Sequence, residues 1–472
     1  MMQGKSMGRW RIVMTGCVGF AGMAHAAGLP AAGNGVGAAV IAIFLAGYLL
    51  VILEERLHLR KSIPVMLAAS LIWSVIAFAR PGADTEDAVR RFVLEYAELF
   101  LFLLAAMTYV NALTERGVFE AIRRWLGARG FSYRGLFWMT GIMAFFLSPV
   151  LDNLTTALVL AAVLLSAARD CPPLITLGCI NIVVAANAGG AFSPFGDITT
   201  LMVWQSGKVP FQDFFHLFAP AVINFVVPAA CMHFAVPCGK PAPSPGGPAL
   251  RRGALVVILL FAITIATAVL FHNMLHLPPF LGMMSGLALL KTYGYYLNRS
   301  SARPLSGDDN PPELGEVESF DSFEFVARAE WDTLLFFFGV ILCVGGLSQV
   351  GWLDMLSHEL YGTWGATAAN TAIGMLSAIV DNIPIMVAVI QMDPAMDTGQ
   401  WLLVTLTAGV GGSLLSIGSA AGVALMGQAR EHYTFLSHLR WSWAIALGYG
   451  LSILCHLWIN SPLFTGITLP GR

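Results

Sequence analysis

The chain has 472 residues, 57% hydrophobic and 11% charged, with a formal net charge of -2; a soluble domain carries about 25% charged residues. The mean hydropathy of +0.72 leaves more apolar surface than one aqueous core can hide, so the solvent must be lipid. No dense basic block exists, which excludes nucleic-acid binding on electrostatic grounds.

Lys5, Arg9 and Arg11 flank the apolar run IVMTGCVGFAGMA, and Ala24-His25-Ala26 supplies an A-x-A pattern. This is the shape of a bacterial signal peptide, cleaved after Ala26. An ordinary first span is the alternative, but the run is short against the roughly 20 residues a span needs. Apolar segments then follow near 37–53, 63–79, 92–113, 135–168, 174–206, 214–238, 253–271, 280–297, 331–350, 364–391, 400–428 and 441–460. The 135–168 stretch is too long for one helix and carries Ser148, Pro149, Asp152 and Asn153 at its centre; 364–391 carries Asp381, Asn382 and Pro384 in a similar place. Both are expected to be re-entrant hairpins, because non-helical backbone at membrane depth survives only where protein or a watery cavity covers it.

Lysine and arginine orient this threading. With the 54–62 loop on one side and hairpins returning to their own side, 18 of the 26 basic residues share that side, five take the other and three lie in the signal. The positive-inside rule makes the crowded side cytoplasmic. The mature N-terminus then falls outside, as signal cleavage requires. The 239–252 stretch, rich in Pro and Gly, marks a linker between halves, and 298–328 is a long, flexible cytoplasmic loop.

Three elements of the first half (27–238) recur in order in the second (253–472). Residues 97–118 resemble 331–352, pairing Glu98 with Asp332 and Gly117 with Gly351. Residues 148–160 resemble 377–389, pairing Asp152-Asn153 with Asp381-Asn382. Residues 187–205 resemble 409–427, pairing Gly189-Gly190 with Gly411-Gly412 and Gly196 with Gly418. Each half holds five spans and one hairpin. Five is odd, so the second half starts from the opposite side and the repeats are inverted, with hairpin 135–168 cytoplasmic and hairpin 364–391 periplasmic. The expected fold is thus an all-α polytopic membrane protein of two inverted repeats with broken helices at the midplane, the build of secondary transporters.

Two signals converge at the centre. Asp152, Asp197 and Asp381 lie inside apolar stretches, where a carboxylate costs at least about 2.5–3.5 kcal/mol and marks function. Gly, Ser, Asn and Pro crowd 187–196 and 409–419, which should unwind two helices and free carbonyl oxygens. Carbonyls, hydroxyls, amide oxygens and a carboxylate are the hard ligands of a small alkali cation. The expected first site is the hairpin tip (Asp152, Asn153, Thr155) facing the break (Asn187, Ser193, Asp197, Thr199). The expected second is Asp381 and Asn382 facing Ser413, Ser416 and Ser419. The first carries more charge and ranks as the main site, with Asp152 ahead of Asp381 and Asp197. Burial favours the protonated carboxylate and a bound cation the ionised one, so a carboxylate holding either Na+ or H+ gives exchange. The competing readings are that the aspartates merely cap helices and that the glycine pairs merely allow close packing.

Other titratable residues carry blander readings. Glu95, Glu98 and Asp332 lie near span ends as solvated acids. His216, His233, His272, His276 and His456 lack metal-site spacing, and His58, His432 and His438 fall in cytoplasmic-side loops as solvated bystanders. The seven cysteines lack CxxC spacing and are expected to be small buried hydrophobes.

The segments SPVLDNLTTALVL, SPFGDITTLMVWQ, LLFFFGVILCVGGLSQVGWL, SAIVDNIPIMVAV and GGSLLSIGSAAGVALMG resemble NhaD-type sodium/proton antiporters of the ion transporter superfamily, over nearly the whole mature chain. The resemblance implies Na+ or Li+ exchange for H+ in the bacterial inner membrane, serving alkali and salt tolerance, with no cofactor. It implies the dicarboxylate/sodium symporter fold: a scaffold that forms a homodimer, and a transport domain that carries both hairpins and moves as an elevator. Na+ or Li+ would then meet Asp152, Asn153, Asp197, Asp381 and Asn382. Dicarboxylate symporters of this fold carry Ser-Asn-Thr at their tips; here each tip has Asp, which disfavours the alternative, sodium-coupled uptake of a small anion. An intramembrane enzyme would need a nucleophile–base pair that is not evident.

Overall fold

The computed structural model describes residues 34–57, 59–168, 171–240, 250–301, 320 and 322–465. The expected signal at 1–26, His58, and most of the 239–252 linker and 298–328 loop lie outside these residues. The first half contains Asn34–Ile52 (α1), Glu54–Leu57 (α2), Ser62–Ala79 (α3), Ala83–Glu115 (α4), Val118–Ala128 (α5), Tyr133–Leu151 (α6), Asn153–Ala167 (α7), Pro172–Gly190 (α8), Ile198–Gln205 (α9) and Phe218–His233 (α10). The second contains Ala254–Leu275 (α11), Pro279–Ser301 (α12), Ser322–Ala327 (α13), Trp331–Gln349 (α14), Trp352–Ser357 (α15), Ala366–Leu376 (α16), Asn382–Met392 (α17), Thr398–Gly411 (α18), Ala420–Gln428 (α19), Phe435–Leu439 (α20) and Ser442–Ile459 (α21). Among the described residues 9 helices are long and apolar enough to cross a membrane. The chain is an all-helical, multi-pass membrane protein.

The elements depart from hydropathy where polar residues extend a helix. α4 begins at Ala83 rather than near 92, because Asp84 and Glu86 suit its first turn and Arg90 pairs with Glu86 one turn away. The amphipathic α5 occupies an expected loop and buries Phe119 and Leu126. The long apolar stretches break as expected. α6 passes into α7 through Asp152, whose φ of 68° no right-handed helix allows. α8 and α9 are separated by residues 191–197, and α18 and α19 by residues 412–419.

Packing sorts the helices into two groups, each drawn from both halves. α14 packs on α3 and α4, α1 on α3, and α12 on α11 and α4. In the other group α6 and α7 pack on α8, α16 on α18, and α10 on α21. Contacts between α17 and α14 join the groups, as does a hydrogen bond of 3.0 Å from Gln391 to Glu95.

The paired motifs make paired contacts. Ser148 Oγ donates to Ala186 O at 2.6 Å and Ser377 Oγ to Ala408 O at 2.9 Å. Gly117 and Gly351 both adopt positive φ, at 73° and 84°, ahead of α5 and α15. A Cβ at Gly189 would overlap the Phe145 carbonyl, and one at Gly411 the Gly374 carbonyl. α6 thus lies against the backbone of α8, and α16 against that of α18.

Gly189→Ala and Gly411→Ala should each cost about 1–3 kcal/mol or more, because backbone must move rather than a side chain. Gly427→Ala, with nothing within 4 Å of its added carbon, should leave the thermal midpoint in detergent unchanged or slightly raised. Equal midpoints for all three variants would contradict the packing.

Candidate cation site

The ends of the broken segments leave backbone groups without helical partners, and polar side chains meet them. Asp197 is the N-cap of α9 and accepts from Thr199 N at 3.0 Å. Ser419 is the N-cap of α19 and accepts from Gly422 N at 3.3 Å. Thr200 Oγ1 donates to Ser193 O at 2.9 Å, and Ser193 Oγ to Pro149 O at 3.0 Å.

Asp197 is the meeting point. The residue is 4% exposed. Asn153, at the start of α7, donates to Oδ2 at 3.2 Å. Asn382, at the start of α17, donates to Oδ2 at 3.1 Å and to Oδ1 at 3.4 Å. Both amides are the first residues of their helices, α7 and α17, so two helix N-termini approach one acid, an arrangement that favours negative charge. The buried Thr199 side chain lies beside it, and Gly409 of α18 leaves space opposite Asp197 Oδ2 and Thr199 Oγ1.

Asn187, at the end of α8, ties the two breaks together. Its Nδ2 donates to Ser413 Oγ at 2.9 Å and Ser419 Oγ at 3.0 Å, while its Oδ1 accepts from Asn153 at 3.0 Å. The two sites expected from the sequence are therefore one crossed cluster. Asn382 serves Asp197 of the first half, and Asn187 serves the serines of the second.

Several expected ligands stand apart. Asp152 caps its own helix, accepting from Thr155 N at 2.7 Å and Thr155 Oγ1 at 3.0 Å, the local role that a capping aspartate plays. Asp381 makes no side-chain cap bond, and its buried Oδ1 lacks a hydrogen-bond partner. Ser193 closes the loop at Pro149, and Ser416 Oγ contacts Met426 Sδ at 3.2 Å. The ranking that put Asp152 first thus meets a structure in which Asp197 has the most convergent partners.

Two residues outside the expected set reach the cluster. His438, expected to be solvated, is fully buried. Its Nε2 lies 2.8 Å from Ser413 O. Ser442 Oγ donates to Leu414 O at 2.7 Å. A loop position hid the histidine, since no periodicity marks one inward side chain in a five-residue helix. Of the six described cysteines, Cys171, Cys179, Cys343 and Cys455 are buried, Cys231 is intermediate and Cys238 is exposed.

A family model described as "Citrate transporter" matches residues 10–409. The Na(+)/H(+) antiporter NhaD of Alkalimonas amylolytica is 53% identical over 93% of this chain and 94% of its own length. The NhaD antiporter of Halomonas elongata is 54% identical over 90% and 88%, and sodium/proton antiporter 1 of Arabidopsis thaliana is 31% identical over 90% and 72%. The chain belongs to the NhaD sodium/proton antiporter family. NhaD membership places it among transporters rather than enzymes, on a family model and relatives that each span most of its length.

Asn187→Ala removes the donor to two buried serines and the acceptor for Asn153. It should lower stability by about 2 kcal/mol, read as a lower thermal midpoint in a Na+-free buffer. An unchanged midpoint would mean that Asn187 does not join the two breaks.

Proposed function

We propose that the chain exchanges Na+ or Li+ for H+ across the bacterial inner membrane, using Asp197 as the shared carboxylate. The observation that carries this reading is the convergence of both hairpin-tip amides and the first helix break on one buried acid. The donor set is hard oxygen: the Asp197 carboxylate, the amide oxygens of Asn153, Asn187 and Asn382, and the hydroxyls of Thr199, Ser413 and Ser419. Such ligands suit a small alkali cation. In its absence a proton can occupy the carboxylate. Asp152 and Asp381 flank the cluster and add negative field without bonding into it. Thr155, Ser193 and Ser416 shape the surrounding loops.

A buried carboxylate also argues against a carboxylate substrate, because like charges in a medium of low dielectric repel strongly. The anion-symport alternative, to which the description of the family model points, is for that reason the weaker reading.

The remaining elements of the proposal are architectural. Paired contacts at the paired motifs support two repeats, 27–238 and 253–472, and the basic-residue bias supports their inversion. The grouping of helices supports a scaffold around α3, α4 and α14 and a transport unit carrying both hairpins. Elevator movement between these groups, a homodimer through the scaffold, and a signal peptide followed by a periplasmic mature N-terminus complete the reading.

In inside-out vesicles from cells lacking their own sodium/proton antiporters, respiration acidifies the lumen and a pH-sensitive dye reports it. Added NaCl or LiCl should alkalinise the lumen, and Asp197→Asn should abolish the response. Asp152→Asn, which keeps a polar cap, should retain part of it. A full response from Asp197→Asn would sink the assignment. No response to any cation across pH 6.5–9.5, a range that brackets carboxylates shifted by burial, would favour anion symport, tested next with labelled dicarboxylate.

A further inference from the structure

We propose that His438 is a positioning residue for the cation site, holding the second helix break in register from outside the cluster. The inference rests on the site reading above. The short helix α20 opens with a capping box between Thr434 and Ser437. Phe435, Leu436 and Leu439 are exposed, whereas His438 is completely buried. A surface helix thus sends one polar side chain into the core.

What it meets there explains why. α18 ends at Gly411, and the carbonyls beyond it have no following helical turn to pair them. Two consecutive ones are served by the same short segment: Ser413 O by His438 Nε2 at 2.8 Å, and Leu414 O by Ser442 Oγ at 2.7 Å. A carbonyl can only accept, so Nε2 carries the proton. Nδ1 of the neutral ring then accepts from Tyr433 Oη at 2.8 Å. Tyr433 is itself buried, so its hydroxyl fixes the orientation of the ring. Held at both ring nitrogens, His438 contributes geometry.

The two breaks differ in this respect. In the first, Thr200 Oγ1 reaches back to Ser193 O, so α9 supplies the donor itself. In the second, the donors come from the Phe435–Ser442 region. The same Ser413 whose carbonyl is held by His438 accepts from Asn187 Nδ2 at its hydroxyl oxygen, and Asn187 in turn orients Asn153 against Asp197. Releasing the carbonyl should loosen that series of bonds and weaken cation binding.

The test measures apparent KM for Na+ and Vmax in inside-out vesicles from the full chain. His438→Ala should raise KM about tenfold, the effect of one lost hydrogen bond, with a much smaller change in Vmax. His438→Gln, whose amide nitrogen can replace Nε2, should restore KM to within about twofold. An unchanged KM in His438→Ala, or a His438→Gln as impaired as His438→Ala, overturns the inference. If His438→Ala does not accumulate in the membrane, His438→Gln against the shorter His438→Asn decides: a higher KM for Asn supports the inference, and equal values reject it. A wild-type chain without any Na+ response removes the exchange reading itself, a failure visible before any His438 variant is made.

Discussion

The hydrogen bonds from Asn153 and Asn382 to Asp197 are the constraint around which the membrane interior of this protein is arranged. A carboxylate at that depth costs about 2.5–3.5 kcal/mol or more, and hydrogen bonds to a charged group return roughly 1.5–3 kcal/mol each. Neither Asn153 nor Asn382 alone supplies enough donors. Bringing one from each half, with the Thr199 amide, requires both chains of helix to break where they cross. The breaks in turn expose carbonyls and amides that polar side chains must meet, which is why Thr200 and Ser442 each donate to a backbone carbonyl in a break.

Close backbone approach is the second requirement of this arrangement. Helices α6 and α16 press on α8 and α18, where Gly189 and Gly411 leave no side chain in the way. With no hydrophobic drive between helices in lipid, such contact and interhelical hydrogen bonds are what hold the elements together. The two halves remain unequal at the centre. Asp197 occupies the N-cap of α9, and a serine, Ser419, the N-cap of α19. One acid facing several hydroxyls and amides suits a monovalent cation better than two opposed acids would.

Much of the fold was legible from apolar runs alone, because a helix in lipid must satisfy its backbone internally and so announces its length. The breaks were legible too: Gly, Ser, Pro and Asn crowded at 187–196 and 409–419 cannot sustain a regular helix. What could not be read was which polar groups meet across the halves. Repeat logic kept Asp381 and Asn382 with the serines of their own half, whereas crossing helices deliver Asn382 to Asp197 and Asn187 to Ser413 and Ser419. Pairing by sequence offset captures equivalence, not contact. Asp152 ranked high because an acid in an apolar run implies a partner; here the partner is its own Thr155, three residues on. His438 escaped notice for the opposite reason, since its neighbours are exposed and only tertiary structure turns it inward.

Competition between a cation and a proton for Asp197 is the centre of the proposed exchange, and proton release on binding tests it most directly. Purified chain in detergent would be titrated with NaCl by calorimetry in two buffers of different ionisation enthalpy. The account predicts that Na+ binding releases protons in the wild-type chain near the middle of its working pH range, and that Asp197→Asn abolishes this release. Na+ binding without proton release, or undiminished release from Asp197→Asn, would contradict it.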